Sequence, residues 1–145
     1  AVDRGGGLTW HGPGQVVGYP VVTWGDRKGE ASVADVIHII EGWLIETLAT
    51  FGVVGVRDER MQGVWVNGRK VCSIGLSFLR WVSRHGFSVN LNTPVGRVEG
   101  VAGCGLAADT TTSLRALGHD IHPEDFVQAL LPVVHRTLGT TSENR

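Results

Sequence analysis

Apolar residues recur every three or four positions along two long stretches of the chain, which is the spacing of one face of an α-helix. The first predicted helix begins after Ser32, an N-cap with Asp35 as its capping-box partner, and ends at Gly52. Its predicted core face consists of Val33, Val36, Ile37, Ile40, Leu44, Leu48 and Phe51. The residues expected on its solvated side are His38, Glu41 and Glu46.

The second long stretch predicts a helix that opens at Pro123, is kinked at Pro132 and is closed by Gly139. Its predicted core face consists of Phe126, Leu130, Val133, Val134 and Leu138. A shorter capped helix is predicted for residues 112–118, and residues 140–145 are expected to fray.

Between these helices the pattern changes to that of β-strands. Strands are predicted for residues 16–22, 53–56, 76–82 and 87–92, with a surface loop at 23–31, a turn at 83–86 and irregular structure at 95–105. The strongest local signal is Asn67-Gly68 between two β-rich runs, the preferred pair for a type I′ hairpin. On the strand after this turn, alternation predicts one face with Lys70, Cys72 and Ile74 and the other with Val71 and Ser73.

These elements predict an α/β fold, a single domain over residues 1–145 with a mixed β-sheet and helices packed on it. The composition is that of a soluble globular protein, with 42% hydrophobic and 19% charged residues. The net charge of -1 argues against nucleic acid or an anionic membrane as a partner, and no apolar run approaches a bilayer span. Two cysteines make no disulfide framework, so a cytoplasmic location is expected.

Glycine is the one outlier in the composition, with 21 residues, about twice the average usage. Glycines at five positions within residues 4–15 exclude a regular helix there. They favour a loop whose backbone N–H groups hold a polar or acyl ligand, with Arg4 and His11 as side-chain contacts. A tight structural turn with a hydrogen-bonded histidine is the alternative interpretation.

Cys104 lies between two glycines, which leaves its thiol little neighbouring bulk. Such a thiol suits close approach to a substrate carbonyl. A nearby lysine would favour the thiolate, which is the nucleophilic form, and the candidate is Lys70.

The chain resembles the lipoyl(octanoyl) transferases, in the biotin/lipoate ligase-like superfamily, once five motifs are read in order. These are Arg-Gly-Gly, His-Gly-Pro-Gly-Gln, Gly-Arg-Lys-Val-Cys-Ser-Ile-Gly, His-Gly-Phe-Ser-Val-Asn and Gly-Cys-Gly-Leu. The resemblance covers residue 4 to about residue 118, with a similar helical tail after it. Five motifs at matching spacing are specific, whereas any one alone would be weak.

The resemblance implies an acyltransferase whose octanoyl group arrives as a thioester on the phosphopantetheine arm of acyl carrier protein and moves onto Cys104, again as a thioester. The group then passes to a lysine on the lipoyl domains of 2-oxoacid dehydrogenases or of the glycine-cleavage protein. The family's lysine, matched by Lys70, lowers the pKa of the thiol and handles protons; no cofactor or metal is implied. The implied lining of the acyl pocket is Arg4, Gly5, Gly6, Gly7, Leu8, Thr9, Trp10, His11, Ser73, Ile74, Gly75, Gly86, Phe87 and Ser88.

Two departures from the family pattern change the expectation. The family usually has Asn-Pro before its Cys-Gly, where this chain has Ala102-Gly103, so we expect a more flexible loop. The family also carries strands and a helix of the same domain before Arg-Gly-Gly. Because this chain starts at Ala1 without methionine, we expect an N-terminally truncated domain with an open sheet edge and a tendency to fold poorly.

Other interpretations stay open. Cys72, two residues from Lys70, is a second candidate nucleophile, or else a buried small hydrophobe. A non-catalytic metal-binding module would use His11, His85, Cys72 and Cys104, although no Cys-x-x-Cys or His-x-x-x-His spacing supports it. An ATP-dependent lipoate or biotin protein ligase shares the fold, activates its acid as an adenylate and needs no cysteine.

Overall fold

The computed structural model describes residues 13–93 and 110–139. In these ranges four antiparallel strands form one sheet, in the order β1-β4-β3-β2. The strands are β1 (Gln15–Gly18), β2 (Gly63–Val66), β3 (Arg69–Leu79) and β4 (Val82–Asn90), and the helices are α1 (Val33–Ala49) and α2 (Pro123–Leu138). An isolated parallel bridge joins Lys70 to Thr111, which confirms the mixed α/β class. Of the helices in the described ranges, none has the length and hydrophobicity needed to cross a membrane.

Helix α1 forms where its cap and apolar pattern predict it. Ser32 Oγ accepts a hydrogen bond from Asp35 N, and the Asp35 carboxylate accepts one from Ser32 N, each at 3.1 Å. This is the predicted capping box, which satisfies donors that the first turn leaves unpaired. The fully buried positions of the predicted core face are Val36, Ile40, Leu44 and Leu48.

Glu41 is the exception on α1, and its expected position on the solvated side is wrong. Its carboxylate is buried and accepts hydrogen bonds from Arg57 Nε at 3.0 Å and from Gly63 N at 2.9 Å. Since Gly63 begins the edge strand β2, Glu41 satisfies a backbone donor at the sheet edge. Helical spacing could not reveal partners that are distant in sequence.

The β2–β3 hairpin forms as predicted, with Asn67 and Gly68 at φ 52° and 79°. The predicted turn at residues 83–86 is wrong, because these residues belong to β4. The β3–β4 turn lies at Arg80 and Trp81, at φ 52° and 65°, although neither residue type favours positive φ.

Gly86 has a different role from the turn residue that the sequence suggested. A Cβ atom on Gly86 would lie 1.7 Å from the carbonyl oxygen of Gly18, so β1 could not pair with β4 if any side chain stood there. The preceding residue, His85, takes a φ of 64° inside the strand. The local glycine signal therefore marks a close approach between strands.

The predicted buried strand at residues 16–22 is shorter than expected. Strand β1 ends at Gly18, and Tyr19 and Val21 are each 68% exposed. The chain then returns to the sheet through an antiparallel bridge between Thr23 and Val82.

The hydroxyl of Ser83 fastens this returning segment to β4. Ser83 Oγ accepts hydrogen bonds from Trp24 Nε1 at 2.9 Å and from Val22 N at 3.3 Å, and it donates one to the carbonyl oxygen of Pro20. Both Ser83 and Trp24 are buried. One side chain thus satisfies two donors and one acceptor away from water.

We expect Ser83→Ala to lower the free energy of unfolding by about 1–3 kcal/mol, because the Trp24 indole N–H would remain buried without its acceptor. Ser77 provides a matched control on β3, since its Oγ is buried without a hydrogen-bond partner in the described structure. Ser77→Ala should change stability by less than about 0.5 kcal/mol. Urea unfolding of both variants measures the difference, and equal losses would contradict this account of Ser83.

The remaining predicted elements are partly confirmed. Within residues 53–56 only Val56 pairs, with Trp65, and residues 112–118 form a hydrogen-bonded turn in place of the predicted helix. Helix α2 has the predicted bounds, with Pro132 inside it, and ends at Gly139. The predictions for residues 95–105 and 140–145 concern segments that lie outside the described ranges.

Candidate active site

The predicted site residues fall into two groups. Those that the structure describes are Lys70, Ser73, Ile74, Gly75, Gly86, Phe87 and Ser88. Those that lie outside the described ranges are Arg4, Gly5, Gly6, Gly7, Leu8, Thr9, Trp10, His11 and Cys104. The described group lies on two strands, β3 and β4.

The structure brings together the two triplets implied as pocket lining. Their residues are direct cross-strand partners, and the pairs are Ser73 with Ser88, Ile74 with Phe87, and Gly75 with Gly86. Residues opposite each other in an antiparallel pair share a face of the sheet. The two sequence motifs therefore form one continuous patch at the centre of the sheet.

Alternation divides this patch between the two faces of the sheet. Ile74 and Phe87 are buried in the hydrophobic core, on the face that packs against α1. The side chains of Ser73 and Ser88 point to the opposite face. A ligand bound on the face opposite to the core would therefore contact the side chains of Ser73 and Ser88, and not those of Ile74 and Phe87.

Lys70 lies on the serine face, and its predicted sharing of a face with Cys72 is wrong. A register shift in the β2–β3 pair places Lys70 opposite Trp65 but Cys72 opposite Val64. Because Val64 and Trp65 are consecutive in β2, they point to opposite faces, and so do their partners. Lys70 Cδ is accordingly 3.5 Å from the position that a Cβ on Gly63 would occupy.

The chain that follows Cys104 returns to the sheet directly beside Lys70. Thr112 N donates a hydrogen bond to the Lys70 carbonyl oxygen at 2.9 Å, and Thr111 forms the parallel bridge to Lys70. Lys70 itself is only 2% exposed. A buried lysine is thus held at the point where the Cys104 segment rejoins the described fold.

Asn90 joins two segments of the chain, and the sequence reasoning missed it. Its Nδ2 donates to the Thr112 carbonyl oxygen at 3.1 Å, and its Oδ1 accepts from Gln15 Nε2 at 2.7 Å. Nearby, the carbonyl oxygen of Gly14 accepts a hydrogen bond from Leu91 N. The chain after His11 and the chain after Cys104 therefore meet at the end of β4. A polar residue at a buried position of the alternating strand was the available signal.

Cys72 has the properties of a core residue. Its side chain is fully buried among apolar residues. Burial raises the pKa of the Cys72 thiol well above its usual range, and the positive charge of Lys70 opposes this shift without outweighing it. A neutral buried thiol is a poor nucleophile.

We expect Cys72 to resist alkylation by iodoacetamide in the folded protein at pH 8, and to react once the protein is unfolded in guanidinium chloride. Because the folded-state pKa is raised, the thiol's contribution to stability is present below about pH 8.5 and is lost as the pH rises further. Peptide mapping after labelling measures the reaction at each cysteine. Rapid labelling of Cys72 in the folded state would contradict its placement in the core.

The described ranges contain no group of three or more His, Cys, Asp or Glu side chains able to hold a metal ion. Of the four candidate ligands, His85 and Cys72 are described, whereas His11 and Cys104 are not. His85 lies opposite Leu76 and Cys72 lies opposite Val89, so about four residues, or 13 Å, of β4 separate their positions. The described pair therefore forms no binding site together.

The architecture is that of the lipoate protein ligases. A solved structure of lipoate-protein ligase A bound with ATP superposes with a TM-score of 0.70 at 12% identity, covering 94% of this chain and 57% of that chain. Residues 1–134 match the family described as the lipoyl protein ligase A/B catalytic domain. The chain belongs to this family.

Curated relatives within the family are named octanoyltransferases. That of Novosphingobium aromaticivorans is 44% identical over 133 residues, which cover 88% of this chain and 59% of the relative. That of Syntrophobacter fumaroxidans is 40% identical over 139 residues, which cover 95% of this chain and 57% of the relative. The chain thus spans a little more than half the length of these relatives.

Proposed function

We propose that the chain is the catalytic part of an octanoyltransferase of lipoate biosynthesis. It takes octanoyl from octanoyl-acyl carrier protein and transfers it to a lysine of the lipoyl domains of 2-oxoacid dehydrogenases and the glycine-cleavage protein, in the cytoplasm. The names of the curated relatives support this reaction. The observation that carries the assignment of residues is the bridge of Thr111 to Lys70, because it returns the chain from Cys104 to the buried lysine.

The reaction proceeds in two acyl transfers. The Cys104 thiolate attacks the carbonyl carbon of the donor thioester, the bond to the carrier sulfur breaks, and that sulfur leaves as a thiolate that takes up a proton. The neutral amine of the lipoyl-domain lysine then attacks the Cys104 thioester. The C–S bond breaks, an amide forms, and the amine proton is lost as Cys104 regains its thiolate.

Lys70 supplies positive charge to the first step and proton transfer to the second. An ammonium near Cys104 favours the thiolate over the thiol. Thr111 is seven positions after Cys104, so the segment between them spans at most about 25 Å and can bring the sulfur to Lys70. Ser73 and Ser88 flank the acyl group on the same face, and the loop of residues 4–11 completes its binding site.

An ATP-dependent ligase is the second candidate, because a fold neighbour is lipoate-protein ligase A bound with ATP. The two functions differ in their donor. The experiment supplies either octanoyl carrier protein without ATP, or octanoate with ATP, and measures the octanoylated lipoyl domain by mass spectrometry. Product from the carrier protein alone is expected, whereas product only from octanoate and ATP would overturn the transferase assignment.

A further inference from the structure

A cleft of about 430 Å³ opens beside the end of the sheet that carries Lys70. Its lining includes Asn92, Arg115, His119 and Asp120. Arg115 N donates a hydrogen bond to the Leu91 carbonyl oxygen, which holds this segment against the chain that leaves β4. Because Arg115 is three positions after Thr112, its backbone lies within about 11 Å of the backbone that contacts Lys70.

Two polar groups of the cleft, the Arg115 guanidinium and Asn92 Oδ1, are available to a ligand as far as the described residues are concerned. The exposed Arg115 side chain forms no ion pair with any residue in ranges 13–93 and 110–139. Asn92 Oδ1 is buried and accepts no hydrogen bond in the same ranges. His119 is half-buried and offers a ring N–H group. A guanidinium, an imidazole and an unsatisfied amide oxygen together fit a ligand that has both an anionic group and an N–H donor.

We propose that this cleft binds the phosphodiester end of the phosphopantetheine arm that delivers the acyl group, an inference that rests on the proposed octanoyltransferase function. Arg115 pairs with the phosphate through its planar fork of N–H donors, and His119 donates a further hydrogen bond. Asn92 Oδ1 accepts an amide N–H from the arm.

The length of the arm agrees with this placement. Its thiol and its phosphate are about 16 Å apart when the arm is extended, since each bond advances the chain by about 1.25 Å. A phosphate held at Arg115 therefore leaves enough arm to bring the thioester to the surroundings of Lys70. Asp120, on the same cleft, opposes the phosphate and limits its affinity.

Binding of 4′-phosphopantetheine and of pantetheine, which differ only in the phosphate, tests the proposal without requiring acyl transfer. Isothermal titration of the chain should give about tenfold or more tighter binding of the phosphorylated compound. Arg115→Ala should remove this preference and leave pantetheine binding within about twofold, whereas Arg115→Lys should retain part of it. Asp120→Asn should tighten phosphopantetheine by about twofold to fivefold.

Arg136→Ala is the matched control, because Arg136 pairs with Glu46 between the two helices and does not line the cleft. It should keep the full preference for the phosphorylated compound. Equal binding of both compounds to the unmodified chain would overturn the proposal. Equal weakening of both by Arg115→Ala, or binding of inorganic phosphate as tight as that of phosphopantetheine, would do the same. If the proposed function itself is wrong, the chain will catalyse no acyl transfer even though it binds the phosphorylated compound more tightly.

Discussion

Replacement of Cys104 by alanine is expected to lower kcat/KM for octanoyl transfer by about a thousandfold or more, because no acyl-enzyme can form without the thiol. The measurement is the initial rate of amide formation on a lipoyl domain with octanoyl carrier protein as donor. The octanoyl group would then have no attachment point on the enzyme, even if both substrates still bound normally.

Cys72→Ala is the matched control for this result. Since Cys72 lies in the core, on the face of the sheet opposite to Lys70, its replacement should keep the rate within about threefold and lower stability by about 1 kcal/mol. An inactive Cys72→Ala variant that is fully folded, together with an active Cys104→Ala variant, would reverse the assignment of the nucleophile.

Replacement of Lys70 by methionine is expected to lower kcat by about a hundredfold to ten-thousandfold, because the positive charge and the proton carrier are both lost. The pKa of the Cys104 thiol should rise towards its usual value of about 8.5. The rate of Cys104 alkylation as a function of pH measures this shift. The alkylation profile of the variant should therefore be displaced to higher pH.

Lys70→Arg separates charge from proton transfer. Because the guanidinium is positively charged, the variant should keep the pH profile of Cys104 alkylation of the unmodified chain. Because a guanidinium keeps its proton, kcat should nevertheless fall. An alkylation profile that is the same in all three proteins would show that Lys70 does not act on the thiol.

The elements with local signals could be predicted from the sequence. The capping box at Ser32 and the Asn67-Gly68 turn are each decided by a few neighbouring residues, and both form as expected. The β3–β4 turn could not be predicted, because the cross-strand pairing of β3 with β4 outweighs the poor turn propensity of Arg80 and Trp81. Glu41 was predicted on the wrong side of its helix because its hydrogen-bond partners come from distant parts of the chain.

The sequence named the candidate residues of the site but could not give their geometry. The triplets at Ser73 and Ser88 come from two separate motifs, and the structure shows that they are paired across the sheet. The alternation of side chains along a strand could not predict the register shift that places Lys70 and Cys72 on opposite faces of the sheet. Nor could it reveal that Asn90 fastens the segment after Cys104 to the end of β4.

The most direct test of the central claim is the mass of the chain after incubation with octanoyl carrier protein, followed by peptide mapping. The account predicts one octanoyl group, carried on the peptide that contains Cys104 and released by hydroxylamine as expected for a thioester. An octanoyl group mapped to Cys72, or modification of a lipoyl domain while neither cysteine ever carries the acyl group, would contradict it.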